Sequence, residues 1–243
     1  MKNKVAMITG ASVGIGRAVA LRLAEDGAKL VLLDLNEETL EKTVQEIKSI
    51  GAEYLAFPCD VSNEEEVNKA VDTALQTFGK IDILVNNAAI WRTWEHFLQT
   101  SSEKWQQFLN VNVMGVVHCT KAVLPQMLEN QYGRIVNVAS VAGVYGNANM
   151  VVYSATKGAL IAMTKALAKE VISQGVIVNC VSPGMVSDSS NPDIDSYYET
   201  DMCYIGRSGT NRENANLIRY LVGDEVGYVV GQNIQIDGCR KKI

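Results

Sequence analysis

Tyr153 and Lys157 stand four residues apart in the stretch YSATK, and Ser140 lies thirteen residues before the tyrosine. Side chains at i and i+4 project from one face of a helix. If a helix begins near Val152, a phenol and an ammonium therefore either act on one bound object or share a solvated face. The chemistry such a pair supports is proton transfer. A free phenol with a pKa of about 10 is a poor base at neutral pH, and an ammonium one turn away favours its ionised form.

A second group of residues suits a phosphate-bearing ligand. The stretch TGASVGIG sets Gly10, Gly14 and Gly16 between a strand-like run and a helical one, in the pattern G-x-x-x-G-x-G. Glycines there permit a tight turn and close backbone approach, and they leave a helix N-terminus facing a pyrophosphate; alone, such a loop also serves simple chain reversal. Asp34 closes the next strand-like run, 18 residues after Gly16. A carboxylate at that place accepts from both ribose hydroxyls of an adenosine and repels a 2′-phosphate. No Lys or Arg stands at Ser12, Val13 or Leu35 to welcome such a phosphate, so the expected cofactor is NAD rather than NADP. Asp60, after the third strand, is placed either to accept from the adenine amino group or to serve the N-cap region of the following helix.

These residues need elements to hold them. KVAMITG, KLVLLDL, EYLAFPCD, IDILVNNAA, RIVNVAS, VIVNCVS and QNIQIDG read as seven strands, and helical stretches fall at Ile15 to Asp26, Glu37 to Ile50, Glu64 to Phe78, Glu103 to Glu129 and Val152 to Ser173. The alternation and the unbroken apolar character of the strands predict an α/β fold, a single doubly wound Rossmann-type domain over residues 1–243 with a seven-stranded parallel sheet flanked by helices. The aperiodic, Ser-, Asp- and Tyr-rich stretch after Pro183 follows a strand's C-terminal end, where ligands sit in open α/β sheets; it is expected to form a substrate-binding lid at about 185–210.

Composition narrows the function. A net charge of −5 argues against a nucleic-acid partner, since the single basic cluster is Arg240 to Lys242. His96 and His118 are the only histidines and lie far apart, so no metal site is expected, and His118 reads as a core or interface residue. No run approaches the length of a membrane span, and no secretory signal is read at the N-terminus. Five scattered cysteines without a C-x-x-C pair point to free thiols and a cytoplasmic setting.

Together, TGASVGIG, Asp60-Val61, NNAA at Asn86 to Ala89, Asn112 within NVNVMG, Ser140, YSATK and Pro183-Gly184 stand in the order and spacing of the short-chain dehydrogenase/reductase family, which the sequence resembles over nearly its whole length. The resemblance implies an NAD-dependent alcohol dehydrogenase or ketone reductase, in which hydride transfer interconverts a secondary alcohol and a ketone. In it Tyr153 and Lys157 form the acid/base pair, Ser140 orients the reacting oxygen, and Asn112 holds a water in the proton relay. Lys157 also holds the nicotinamide ribose. The cofactor is then expected against Gly10, Ser12, Val13, Gly14, Ile15, Gly16, Asp34, Asp60, Val61, Asn87, Ala88, Tyr153, Lys157, Pro183, Gly184, Val186 and Asp188. A homotetramer is implied as well, with the long helix from Glu103 and the final strand as interfaces.

Departures from the family pattern bear on the substrate. Family members that reduce 3-oxoacyl-carrier proteins are usually NADP-dependent and dock an acidic partner through arginines, at places where this chain has Gln131 and Gln174. Asp188, Asp193, Asp195, Glu199 and Asp201 would also repel such a partner. Trp91, Trp94, Tyr145, Tyr197, Tyr198, Met202 and Tyr204 instead favour an apolar or cyclic substrate such as a hydroxysteroid. A carrier-protein reductase is the alternative, and a non-catalytic NAD-binding module the second. Asp188 replaces the threonine that commonly holds the nicotinamide carboxamide. Either a one-residue shift lets a serine fill that role and leaves Asp188 solvated, or Asp188 accepts from the carboxamide and biases the bound cofactor toward NAD.

Overall fold

The computed structural model describes residues 1–241, so the end of the basic cluster, Lys242, lies outside it. Seven strands form one parallel sheet: β1 (Val5–Thr9), β2 (Lys29–Asp34), β3 (Tyr54–Pro58), β4 (Ile83–Asn86), β5 (Gly133–Val138), β6 (Val176–Pro183) and β7 (Asn233–Ile236). Their order is β3-β2-β1-β4-β5-β6-β7, the doubly wound arrangement whose direction reverses beside β1 and β4. Every residue of β1, β4, β5 and β6 is buried, as continuous apolar runs covered on both faces must be.

Alternate side chains of each strand feed two cores. Ala6 and Ile8 of β1 pack with α1 (Gly14–Glu25), α2 (Glu37–Ile50) and α8 (Asn211–Leu221), whereas Val5 and Met7 face α3 (Glu64–Phe78), α5 (Gly115–Glu129) and α7 (Val151–Val171). The expected helix from Glu103 to Glu129 is interrupted. Ser102–Leu109 forms α4, a π turn spans Asn110–Met114, and α5 follows. Two contacts accompany the break: the Asn112 side chain bonds the backbone of Ile90, and a Cβ on Gly115 would come within 2.7 Å of Val61. A π turn accommodates one extra residue where tertiary contacts demand it.

Two helices were not expected from the sequence, the short α6 (Ala142–Tyr145) and α8. The signal for α8 was present: Thr210 and Glu213 make a reciprocal capping box at its start. The stretch from Gly184 to Thr210 has neither helix nor strand, yet it is tied down. Gly14 N–H donates to the Ser189 carbonyl at 3.1 Å, Arg17 to the Pro192 carbonyl at 2.9 Å, and Lys241 N–H to the Met202 carbonyl at 2.9 Å.

A buried polar network couples α7 to the sheet. Asn86 Nδ2 donates to Asn137 Oδ1 at 2.9 Å and to Thr120 Oγ1 on α5 at 3.2 Å, while Asn137 Nδ2 donates to Thr164 Oγ1 on α7 at 2.9 Å. Removing Asn137 strands the polar atoms on both sides. Asn137→Ala is therefore expected to lower stability by about 2 kcal/mol, read by urea denaturation; a loss within about 0.5 kcal/mol would show that the network is dispensable.

Candidate active site

The expected catalytic residues converge at the C-terminal ends of β4 and β5. Ser140 follows β5, and its Oγ accepts the Ala142 N–H at 3.1 Å, which starts α6 and fixes the hydroxyl. The Ala142–Tyr145 turn packs against α7 so closely that a Cβ on Gly143 would meet the Lys157 backbone at 2.5 Å. Tyr153 and Lys157 share one face of α7, with the Lys157 ammonium 5.8 Å from the phenol ring centre.

Lys157 is buried, and its Nζ donates to the Val138 carbonyl at the end of β5 at 2.7 Å. Burial pulls its pKa down to about 8. Burial pushes the Tyr153 phenol up, with the Ser140 hydroxyl opposing the rise. In the structure the ammonium is held on the Val138 carbonyl, and the Ser140 hydroxyl is the group that favours the phenolate.

Asn112 lies in the π turn and is fully buried. Its Oδ1 accepts the Ile90 N–H at 2.9 Å, and its Nδ2 donates to the Ile90 carbonyl at 2.9 Å and to Thr156 Oγ1 at 3.1 Å. The side chain thus joins the loop after β4 to the turn of α7 that carries Tyr153.

The glycine loop is shaped by contact with its own chain. A Cβ on Gly16 would fall 1.9 Å from the Gly10 carbonyl oxygen, and Gly10 itself has φ +62°. Asn87 Nδ2 donates to the carbonyls of Thr9 and Gly10, each at 3.0 Å, and Thr9 Oγ1 accepts the N–H groups of Asn87 and Ala88. Thr9 was not among the expected residues; its one signal was a hydroxyl closing an otherwise apolar strand. Asp34 ends β2, with Oδ2 accepting the Ser12 N–H and Oδ1 the Asn36 N–H, both at 3.0 Å. Val13 precedes α1, Ile15 lies in its first turn, and Gly14 meets Ser189. A cradle that a Cβ would fill, beside a carboxylate at the end of β2, fits a dinucleotide.

Asp60 Oδ1 accepts from the Ser62 N–H and hydroxyl, in the turn before α3, whose N-cap is Asn63. Val61 is buried, and its carbonyl lies 3.0 Å from Nδ1 of the buried His118. At the far end of the cleft, Gly184 N–H donates to Ile236 and Val186 pairs with Gly209. Asp188 is exposed, its Oδ1 bonded to the Ser190 N–H and hydroxyl, which hold its carboxyl below the usual range. Ser187 is buried against Asn211 beside it.

A sheet of this order with such a site at its carboxyl edge defines a class of dinucleotide-dependent enzymes, and comparison with known proteins agrees. The family model described as short chain dehydrogenase matches residues 4–197. The 3-oxoacyl-acyl-carrier-protein reductase of Thermotoga maritima is 37% identical over 241 residues, covering 98% of both chains. Its counterpart from Synechocystis is 40% identical over 237 residues, covering 97% of this chain and 96% of that one. Among solved structures, NAD+-bound xylitol dehydrogenase superposes with a TM-score of 0.91 at 36% identity over 98% of both chains, and levodione reductase with 0.90 at 31% over 98% and 97%. The chain belongs to the short-chain dehydrogenase/reductase family and is an oxidoreductase that uses a nicotinamide cofactor.

The buried ammonium carries a pH signature. Between about 8 and its ordinary 10.5, the unfolded chain keeps a proton on Lys157 that the folded chain has released, so this group makes stability rise with pH across that window. Below about pH 8 both states are protonated and the burial penalty is present in full. Relative to Lys157→Met, the unmodified protein should gain stability from about pH 7.5 to about pH 9.5 in chemical denaturation; a constant difference between the two would mean that Lys157 titrates normally.

Proposed function

We propose that the protein is an NAD(H)-dependent ketone reductase and secondary-alcohol dehydrogenase, with Tyr153 as its acid/base group. The observation that carries this reading is the convergence of Ser140, Tyr153 and Lys157 at the carboxyl edge of the sheet, with the phenol half-buried and Ser140 acting on it. A non-catalytic NAD-binding module gives no reason for that convergence. When bound, the nicotinamide supplies or receives the hydride and, oxidised, adds a positive charge beside the phenol. Tyr153 gives a proton to the carbonyl oxygen in reduction and takes it back in oxidation, while Ser140 holds that oxygen in place. Lys157, with one donor on Val138, directs its others to the nicotinamide ribose. Asn112 keeps the Ile90 loop and the Tyr153 turn in register, and serves the relay through that placement. NAD is favoured over NADP because Asp34 occupies the position where a 2′-phosphate would sit.

For the substrate, the names of the curated relatives favour a 3-oxoacyl thioester over the hydroxysteroid suggested by the aromatic residues. Two structural facts weaken the case against such a substrate. Gln131 and Gln174 precede β5 and β6, a strand's length of about 20 Å from the end that carries Ser140, so neither bears on this chain's own site. The acidic lid is partly neutralised, since Asp195 pairs with Arg212 at 2.9 Å. Trp94, Tyr197 and Tyr204 are exposed, and such side chains suit an acyl chain as well as a ring. Free cysteines fit a cytoplasmic setting, and the exposed Leu109 and Met114 beside the π turn fit burial in a homotetramer. Among the described residues no helix is long and apolar enough to cross a membrane.

Tyr153→Phe should lose at least about 100-fold in turnover while binding NADH as the parent does, by fluorescence titration; full activity would remove Tyr153 from its role. Asp34→Ala should erode the preference for NADH over NADPH in the reduction of acetoacetyl thioesters. An unchanged cofactor ratio would overturn the cofactor assignment, and failure to reduce any 3-oxo thioester, with turnover of a cyclic ketone, would return the substrate to the cyclic class.

A further inference from the structure

We propose that Arg92 is a specificity residue that reads an anionic group, a carboxylate or a phosphate, on the substrate. The inference deepens the ketone-reductase reading above and rests on it. Arg92 lies on the loop after β4, two residues beyond Ile90, whose backbone Asn112 grips from both sides. The same loop runs along the approach to α7, where Glu95 N–H donates to the Asn149 carbonyl at 3.0 Å. Arg92 is thus carried on a segment fixed at both ends to the element that bears Tyr153.

The other seven arginines all have partners in the chain. Arg17 bonds Glu46, Arg22 and Arg219 bond Asp26, Arg207 bonds Glu213, and Arg212 bonds Asp195. Arg134 and Arg240 bond Gly133 and Asn147. Among the described arginines Arg92 alone has neither a side-chain ion pair nor a side-chain hydrogen bond; its guanidinium lies over the Trp91 ring, 5.5 Å from the centre. A stacked guanidinium with its donor edge free is the arrangement that recognises carboxylates and phosphates in two-point fashion.

It also faces usable space. A cavity of about 340 Å³ is lined by Ile90, Trp91, Arg92, Lys104, Gln107 and Phe108. Lys104 is already paired with Glu95, so Arg92 supplies the unspent positive charge there. The cavity wall includes Ile90, which ties it to the catalytic turn, and Trp91 and Phe108 give apolar surface for whatever joins the anion to the ketone. Asp188 is close enough for the Arg92 charge to act on it, more weakly than its bonds to Ser190. Asp188 makes no direct bond to the guanidinium, so a substrate anion meets it unpaired.

The test uses two pairs of ketones that differ in charge: acetoacetate against methyl acetoacetate, and acetoacetyl-coenzyme A against the acetoacetyl thioester of N-acetylcysteamine. Loss of one charge-assisted contact should lower kcat/KM of Arg92→Gln for the charged member about tenfold or more, while the neutral member stays within about twofold. Arg92→Lys should restore part of the loss by retaining the charge. A drop confined to acetoacetate identifies a carboxylate, and one confined to the coenzyme A thioester a phosphate. Equal losses on charged and neutral members, or none on either, overturn the proposal, equal losses meaning that Arg92 only latches the lid through Asp188. If the parent protein reduces none of the four ketones, the function proposed above fails instead, a result distinct from equal losses.

Discussion

A cation held out of water constrains the rest of this molecule. Lys157 is buried at the edge of a close-packed sheet, and its fixed compensation within the chain is the Val138 carbonyl. Burying an ammonium is costly unless its donors are satisfied, so α7 must stand against the end of β5 to within a hydrogen bond. The Asn86, Asn137, Thr120 and Thr164 network sets that spacing beside the strands, and the equally buried Asn112 and Thr156 contact sets it at the first turns of α7. Gly143 completes the arrangement, since any side chain there would push α6 off Lys157.

The cofactor end obeys a steric constraint instead. Gly16 and Gly10 let the first turn of α1 lie against the end of β1, and Asn87 and Thr9 lock the loop from the neighbouring β4. The strand that carries the glycine loop and the strand that leads to the Ile90 loop are therefore one unit. Asn112 joins that unit to α7, so the glycine loop and Tyr153 are related through packed, hydrogen-bonded elements. The segment from Gly184 to Thr210 lies over this frame, anchored at Gly14, Arg17 and Lys241.

Charge follows the same division. Inside, carboxylates are rare and each is committed: Asp82, for example, accepts the Val5 N–H and pairs with Lys80. At the rim, Asp195 pairs with Arg212 and Asp188 is bonded to Ser190, whereas the Arg92 guanidinium meets only the Trp91 ring. Catalytic groups fixed in a packed frame and selective groups on the loops at its mouth are the usual economy of an α/β enzyme, where loop variation changes the substrate without disturbing the chemistry.

Much of this was legible in the amino-acid sequence. Strand positions followed from continuous apolar runs, four helices from the stretches that alternate with them, and the family from motifs whose order and spacing agree, because these are local properties of the chain. Other features depend on residues distant in sequence meeting in space. The π turn at Asn110–Met114 arises from Ile90 and Val61, the polar network from four separate elements, and the commitment of Asp188 to Ser190 from a turn with no periodic signature. The direction of the Tyr153 and Lys157 shifts was likewise decided by tertiary structure, since desolvation is set by what packs around a group and not by its neighbours in sequence. Sequence alone determined which residues take part and on which strands and helices they ride; packing decided which of their donors and acceptors are already spent and which remain for a ligand.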